Sequence, residues 1–292
     1  MMIRGGGGIA MKRSTFTKII IYVLISLLGL IMLYPLIWMI FAALKPSPEV
    51  LSSPDLLPSQ FRFDNFAAGW KLVRPYTFGK FFMNTFFVVI SCVVCSLVIS
   101  LFVGYAFARV NFRFKSFWFS VLFLTIMLPA TTTLVSRYVV FSKIGWLNTY
   151  LPFIIPTALG VGNGGGFFIY LVAQFIKGIP KELDEAAKID GCSTFSIIVR
   201  IIFPLCKPSL FSVAIFAFMW NWDDFQNQLI YLTKVDLYTV ALAMRTTIDA
   251  TGADNWGAVM AMALCSVLPA IVMFFCLQKY FVDGVSTSGL KG

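Results

Sequence analysis

Apolar runs without a charged residue recur along this chain, separated by short polar segments. Residues 19–44 form the first, bounded by Lys18 and Lys45. Residues 81–108 and 116–136 form the next two, on either side of a tight basic turn of Arg109, Arg113 and Lys115. Each is long enough for a helix of about 20 residues, which crosses about 30 Å of hydrocarbon. Residues 144–176 stay uncharged for 33 residues, too many for one straight crossing. Pro152, Pro156 and the glycines between Gly160 and Gly166 interrupt this run, so it predicts a loop and then a kinked fourth span over 152–176. The fifth run is short, with 15 uncharged residues between Lys207 and Asp223. A span over 207–229 must therefore carry the polar stretch NWDDFQNQ, Asn221 to Gln228, to the membrane edge or partly inside it. A last uncharged run predicts the sixth span over 256–279.

The segments between the runs differ in kind. Residues 1–17 form an N-terminal tail holding Arg4, Lys12 and Arg13, with Gly5 to Gly8 as floppy chain and Met11 as an alternative start. The first run is longer than the apolar core of a signal peptide and lacks its small-residue cleavage site, so it predicts an uncleaved span. Residues 46–80 contain Pro46, Pro48, Pro54, Pro58 and Pro75 and predict an irregular exposed segment with a short helix near Asn65 to Trp70.

Composition fixes the solvent. The chain is 59% hydrophobic and 12% charged and has 31 Phe, with a mean hydropathy of +0.86. Soluble chains are roughly 25% charged. The fold class predicted is all-α integral membrane, one transmembrane domain over 18–292 with six helices. The chain has no histidine, which excludes a typical zinc site and a Ser-His hydrolase. Cys92 and Cys95 make a C-x-x-C, but inside an unbroken apolar run, where they read as small packing residues. The net charge of +10 comes without a basic patch interleaved with aromatics, so it points away from nucleic acid. It reads instead as topogenic: with six spans, 14 Lys and Arg fall on the side of the termini and nine on the other. Both termini are therefore expected in the cytoplasm, 46–80 outside, and the loop at 178–205 inside.

That loop carries an anomaly, ELDEAAKIDGCSTFSIIVRIIFP from Glu182 to Pro204. Residues 182–190 hold four acids and one lysine. Pro180 suits a first helical turn, and Glu182, Asp184 and Glu185 favour the helix N-terminus. Gly191 permits a sharp reversal. A second amphipathic helix follows from Ser193 to about Ile202, closed by Pro204. The bland reading is an interfacial loop between two spans; the sharper one is a docking knob for a soluble partner.

Two further features invite a role. GVGNGGG, Gly160 to Gly166, lacks the Lys-Ser/Thr of a P-loop and follows no strand. It reads as helix distortion and close packing, or as backbone lining a cavity with Asn163 exposed in it. On one continuous helix Asn221 would share a face with Asp224, and Asp223 with Asn227. Both stripes cannot face lipid. Trp220 and Trp222 read either as path residues or as an interfacial aromatic belt.

Glu185-Ala186-Ala187-x-x-x-Gly191, followed after nine residues by Ile201-x-Phe203-Pro204, resembles the EAA loop of bacterial ABC importer permeases. The family usually has Leu where Phe203 stands. Asn221-Trp222-Asp223-Asp224-Phe225 with Leu229-Ile230 is similar to its Trp-Asn-acid-Phe stretch. The ending KYFVDGVSTSGLKG, Lys279 to Gly292, is similar to the second, six-span permease of the carbohydrate-uptake branch. The resemblance implies a MetI-like permease fold in the bacterial cytoplasmic membrane. It implies a heterodimer with a second permease, two ATP-binding subunits that carry ATP and Mg, and an extracellular solute-binding protein. Glu182, Glu185, Ala186, Ala187, Asp190, Gly191, Ile201, Phe203 and Pro204 would then couple the permease to an ATPase, with Glu185 meeting a basic residue there. No cofactor is expected on this chain, and no catalysis. The solute expected is a sugar or oligosaccharide, along a path of Asn163, Trp220, Asn221, Asp223, Phe225 and Asn227. Rivals are an ion-coupled secondary transporter, which would want acids in mid-span, an ABC permease for another solute, and a membrane enzyme.

Overall fold

The computed structural model describes residues 15–251 and 255–289. The tail expected over 1–17 falls almost wholly outside them. Among the described residues every regular element is helical. In chain order these are α1 (Thr15–Ala42), α2 (Ser47–Ser52), α3 (Asp64–Trp70), α4 (Phe78–Arg109), α5 (Lys115–Met127), α6 (Leu134–Lys143), α7 (Leu151–Ala158), α8 (Gly165–Lys177), α9 (Glu182–Ile189), α10 (Thr194–Ile197), α11 (Phe203–Leu205), α12 (Lys207–Trp222), α13 (Phe225–Tyr231), α14 (Val240–Thr251) and α15 (Trp256–Gly289). Three helices are long and apolar enough to cross a bilayer: α1 from Thr17, α4, and α15 as far as Cys276. Two bent pairs bring the number to five if each counts as one span.

The hub is α4. Its 32 residues give a rod of about 48 Å, and α7, α8, α12 and α14 all pack on it. Gly104 sets the closest approach, since a Cβ there would lie 3.1 Å from Val172 Cγ1 and 3.2 Å from the Ala173 nitrogen of α8. The small side chain of Cys92 is fully buried in a cluster with Val88, Phe141, Phe153 and Tyr231. By contrast α1 leaves most of its apolar surface exposed, as a helix solvated by lipid does.

The straight runs of the sequence are broken in three places. The third run does not continue through 116–136. Leu128 is extended at φ −71, ψ 123, the conformation that the following proline favours because its Cδ disfavours the α region there. The chain bends by 98° between α5 and the segment from Ala130 to Lys143. The fourth run parts into α7 and α8 at residues 159–164, with Gly160 and Gly164 in left-handed backbone. The fifth parts into α12 and α13, because the Asp224 side chain caps a new helix by accepting from the Asn227 backbone N–H at 3.2 Å. Asn221 and Asp224 therefore do not share one helix face, nor do Asp223 and Asn227.

The helix expected from Ser193 to Ile202 also differs. It starts with a Ser193 cap on the Ser196 N–H, widens to a π turn over Ile198–Ile202, and runs on to Leu205, with Pro204 inside it rather than closing it. An 80° bend then leads into α12.

Gly164 tests the second break. Its φ is +74, and a Cβ there would lie 2.1 Å from Trp220 Cζ3. Gly164→Ala should cost about 1–3 kcal/mol of backbone strain plus displacement of the indole. Gly29→Ala in α1, where nothing lies within 4 Å, should be neutral or slightly stabilising. Thermal unfolding in detergent should show a lowered midpoint for the first variant only; equal midpoints would mean that the break tolerates a side chain.

Candidate functional site

Two of the places where polar side chains gather bear on function. The first is the segment from α9 to α11, at the Arg109 end of α4. One face of α9 is buried and the other is bare. Ala187 packs with Tyr105, Ile176, Ile197 and Ile202 in the core beneath, and Asp184 is buried. Glu182, Glu185, Ala186, Asp190 and Gly191 are exposed, as are Phe203 and Pro204. Ile201 is half-buried. So Ala187 supports the knob from within, while the other expected coupling residues lie on or near its surface. Gly191 turns the chain at φ +79 with open space around it, a backbone that side chains rarely adopt.

Beneath the knob lies an ion pair that sequence reading passes over. Arg109, the last residue of α4, places Nε 2.6 Å from Asp184 Oδ2, with both side chains about 5% exposed, at 5% and 6%. Its Nη2 donates to the Ile179 carbonyl at 2.6 Å. One guanidinium thus holds both the approach to α9 and its first turn. Asp184 is one acid among four in sequence, and only its place on the inward face, three residues before Ala187, sets it apart. The exposed apolar side chains were missed as well: Ile189 is 86% exposed, with Leu183 and Phe195 also bare.

The second place is where the breaks meet. Asn163, in the α7–α8 break, donates to Asp224 Oδ2 at 3.0 Å. Asn227 donates from its side chain to both Asp224 oxygens at 2.9 and 3.0 Å. Asp224, which the sequence reading ranked behind Asp223, is therefore the centre, and Asp223 is exposed at the end of α12. Asn221 turns its amide back to the Ala217 carbonyl at 2.7 Å but lines a small recess with Asp224, Asn227 and Arg137. Phe225 joins the core around Phe141 and Tyr231. Trp222 is not part of an interfacial belt. It is buried between Phe86 and Phe218, and its indole donates to the Ser266 carbonyl of α15 at 3.1 Å. Trp220 faces outward, stacked on Phe168. It lines a groove of about 770 Å³ together with Phe167, Trp146, Asn163 and Arg137.

A membrane bundle with a charged knob at one end and a polar, groove-lined break within it matches a known pattern. Residues 96–287 match the family described as the binding-protein-dependent transport system inner membrane component. The chain belongs to that family. A probable ABC transporter permease of Bacillus subtilis strain 168 is 30% identical over 93% of this chain and 88% of its own. An arabinooligosaccharides transport system permease of Halalkalibacterium halodurans is 29% identical over 91% of this chain and 94% of its own. The crystal structure of a bacterial ABC transporter involved in the import of the acidic polysaccharide alginate holds a chain of the same fold, at TM-score 0.80 and 21% identity, covering 94% of this chain and all of that one. The MetI-like permease fold and the place of this chain in an ABC importer follow from the family, as does partnership with the other components of such a system and a substrate-binding protein. Members of this family are inner membrane components of such systems.

The buried pair gives the test of this site. Removing one partner strands the other charge, at about 3–5 kcal/mol, whereas removing both leaves no stranded charge and costs only the bond to the Ile179 carbonyl. Asp184→Ala should therefore unfold at a lower temperature in detergent than the double variant Arg109→Met, Asp184→Ala. A double variant at least as unstable as the single would mean that the two charges do not act as a pair.

Proposed function

We propose that this chain is the second permease of a sugar or oligosaccharide importer in a bacterial cytoplasmic membrane, paired with a different permease and driven by two ATPase subunits that bind ATP and Mg. Six spans are proposed, about 19–44, 81–108, 116–136, 152–176, 207–229 and 256–279, the third, fourth and fifth interrupted at the breaks described above, with both termini and the 178–205 loop in the cytoplasm and 46–80 outside. The observation that carries the reading is the α9 knob: an exposed acidic face on a helix riveted from below by Arg109. Curated relatives named for arabinooligosaccharides, diacetylchitobiose and galactooligosaccharides support the solute class. An ion-coupled carrier fits less well, since Asp224 already accepts from two asparagines and no second acid lines its recess.

In this reading the chain does no covalent chemistry. Closure of the ATPase pair on nucleotide moves the knob, and the Arg109 contact passes that motion to the end of α4. Work arises because the two arrangements bind nucleotide and solute with different affinity. Trp220, Asn163, Asn221, Asp223, Phe225 and Asn227 lie in or near the proposed path, with rings to stack on sugar faces and amides to bond hydroxyls. The direct test is uptake: sugar should enter proteoliposomes only with ATP and the binding protein, and uptake independent of either would sink the reading.

Glu185 is fully available to a partner. A charge-assisted contact in a partner's cleft is worth about 1.5–3 kcal/mol, against about 0–1 kcal/mol for an open surface pair. Glu185→Lys should reduce copurification of the ATPase far more than Glu185→Ala does. Equal recovery with both would count against a charged contact.

The path assignment has its own check. Single cysteines from Asn221 to Gln228, in a background lacking the six native ones, should react unevenly with an impermeant thiol reagent. Position 223 should label fast and buried positions 221, 222 and 228 slowly, and sugar or trapped nucleotide should change the rates at 223, 224 and 227. Rates that ignore both ligands would place this stretch outside the path.

A further inference from the structure

Arg137 has no place in the coupling loop or in the predicted path. It sits in α6, beyond the 98° bend that ends α5. The 13 residues of α5 rise only about 20 Å, short of the roughly 30 Å hydrocarbon core. In the proposed topology α6 therefore begins at membrane depth. An arginine at the centre of a membrane helix costs about 2.5–3.5 kcal/mol on insertion scales, and such residues face a cavity or a partner.

Arg137 faces a cavity. It is the only ionisable residue among those lining the groove of about 770 Å³. Its partners are neutral: Nε and Nη2 donate to Thr133 Oγ1 at 3.1 and 2.8 Å, and Nη2 also to the Ala130 carbonyl at 3.1 Å. It forms no ion pair among the described residues. Those bonds run back to the 3-10 turn Ala130–Thr133 just ahead of α6, so they fix the guanidinium without neutralising it, and Nη1 takes no part in them. The one acid nearby, Asp224, does not line the groove. It lines the small recess behind, which Arg137 also borders, and there it accepts from Asn163 and Asn227. The Tyr231 hydroxyl in the same recess is buried without a partner, in a side chain 2% exposed. On the groove side Trp220 and Phe167 offer aromatic surface.

We propose that this groove takes a saccharide bearing a carboxylate, with the acid on Arg137 and the sugar ring against Trp220. The planar guanidinium presents a donor fork that matches a carboxylate, and in a partly enclosed groove that attraction is weakly screened by salt. A neutral sugar would leave the guanidinium without a counter-charge in the groove, its acidic neighbour Asp224 lying in the recess behind. The proposal deepens the importer reading above and rests on it.

The test uses the assembled importer, this chain with its partner permease and both ATPases, in nanodiscs of phosphatidylcholine. The probes are a galacturonate trisaccharide and its fully methyl-esterified form, which has the same ring frame without charge. Equilibrium dialysis should show the acid binding at least tenfold tighter than the ester. Arg137→Gln should weaken acid binding until it lies within about twofold of ester binding. Arg137→Lys should keep an intermediate preference, being a point charge without the fork. Equal binding of acid and ester by the native complex overturns the proposal, as does a preference that survives Arg137→Gln. So does a preference that vanishes when anionic lipid is added to the nanodisc, which would make a lipid headgroup the partner of Arg137. If the native importer drives ATP-dependent uptake of a neutral oligosaccharide and shows no acid preference, only the carboxylate assignment falls. If it drives no sugar uptake at all, the importer reading falls with it.

Discussion

Lipid offers the backbone no hydrogen bonds, and most of what is distinctive in this chain follows from that constraint. A spanning helix satisfies its own backbone; a broken one must find partners inside the protein. Each of the three breaks does so. At Leu128 the N–H still reaches the Leu124 carbonyl, and Arg137 covers that of Ala130. At the α7–α8 break Val161 and Gly165 donate to Pro156 and Gly162. At the α12–α13 break Asp224 caps the new helix with its carboxylate. Breaking a helix in a membrane thus recruits polar side chains to the spot. The polar cluster of Asn163, Asp224 and Asn227 stands where two breaks touch. Under the proposed function the same side chains would also serve a polar solute in the groove.

The knob obeys the complementary rule. Outside lipid, charge is free to be exposed, and α9 exposes it on every side but one. The inward side carries Asp184 and Ala187, a helical spacing of three that puts both on one face. A buried ion pair is weak support for stability in itself, because desolvation offsets its attraction. What it supplies is position. Asp184 and the Ile179 carbonyl meet one guanidinium, so the knob cannot swing without moving the end of α4 or breaking the pair. The π turn at Ile198–Ile202 lies on the other limb of the knob. Such turns carry wider, less regular bonding than an α-helix, which leaves this limb the softer of the two.

Much of this was legible before any coordinates. The charge-free runs of 19–44 and 81–108 correspond closely to α1 and α4, because periodicity matters little when a whole run is apolar and length alone decides. The short helix near Asn65 and the reversal at Gly191 were also readable, each from one residue's local preference. The breaks were less so. Pro129 was visible in the third run, but whether a proline kinks a helix or ends it depends on what receives the freed backbone groups. The division at Asp224 was hidden by the assumption of one continuous helix, which favoured Asp223 and set the wrong pairs on common faces. Pairings across the sequence were out of reach. Nothing local joins Arg109 to Asp184, or Asn163 to Asp224, since each pair is made by packing between distant segments.

α4 is the element that relates the two sites. Its Arg109 end holds the knob, while its middle carries Cys92 and Val88 into the core that contains Tyr231 and Phe153, next to the recess of Asp224. On the far side α8 packs along α4 through Gly104, and α8 begins at the break that positions Asn163 and ends just before Ile179. A pair of helices in close contact at Gly104, where a side chain would press on Val172 and Ala173, therefore spans from one polar site to the other. Packed interfaces of this kind shift between discrete arrangements rather than deform smoothly. Under the proposed coupling, a displacement imposed at the knob would reach the breaks as a movement of the α4–α8 pair as a whole. The breaks, held by backbone turns and a few side-chain hydrogen bonds rather than by continuous helix, are where that movement would be taken up.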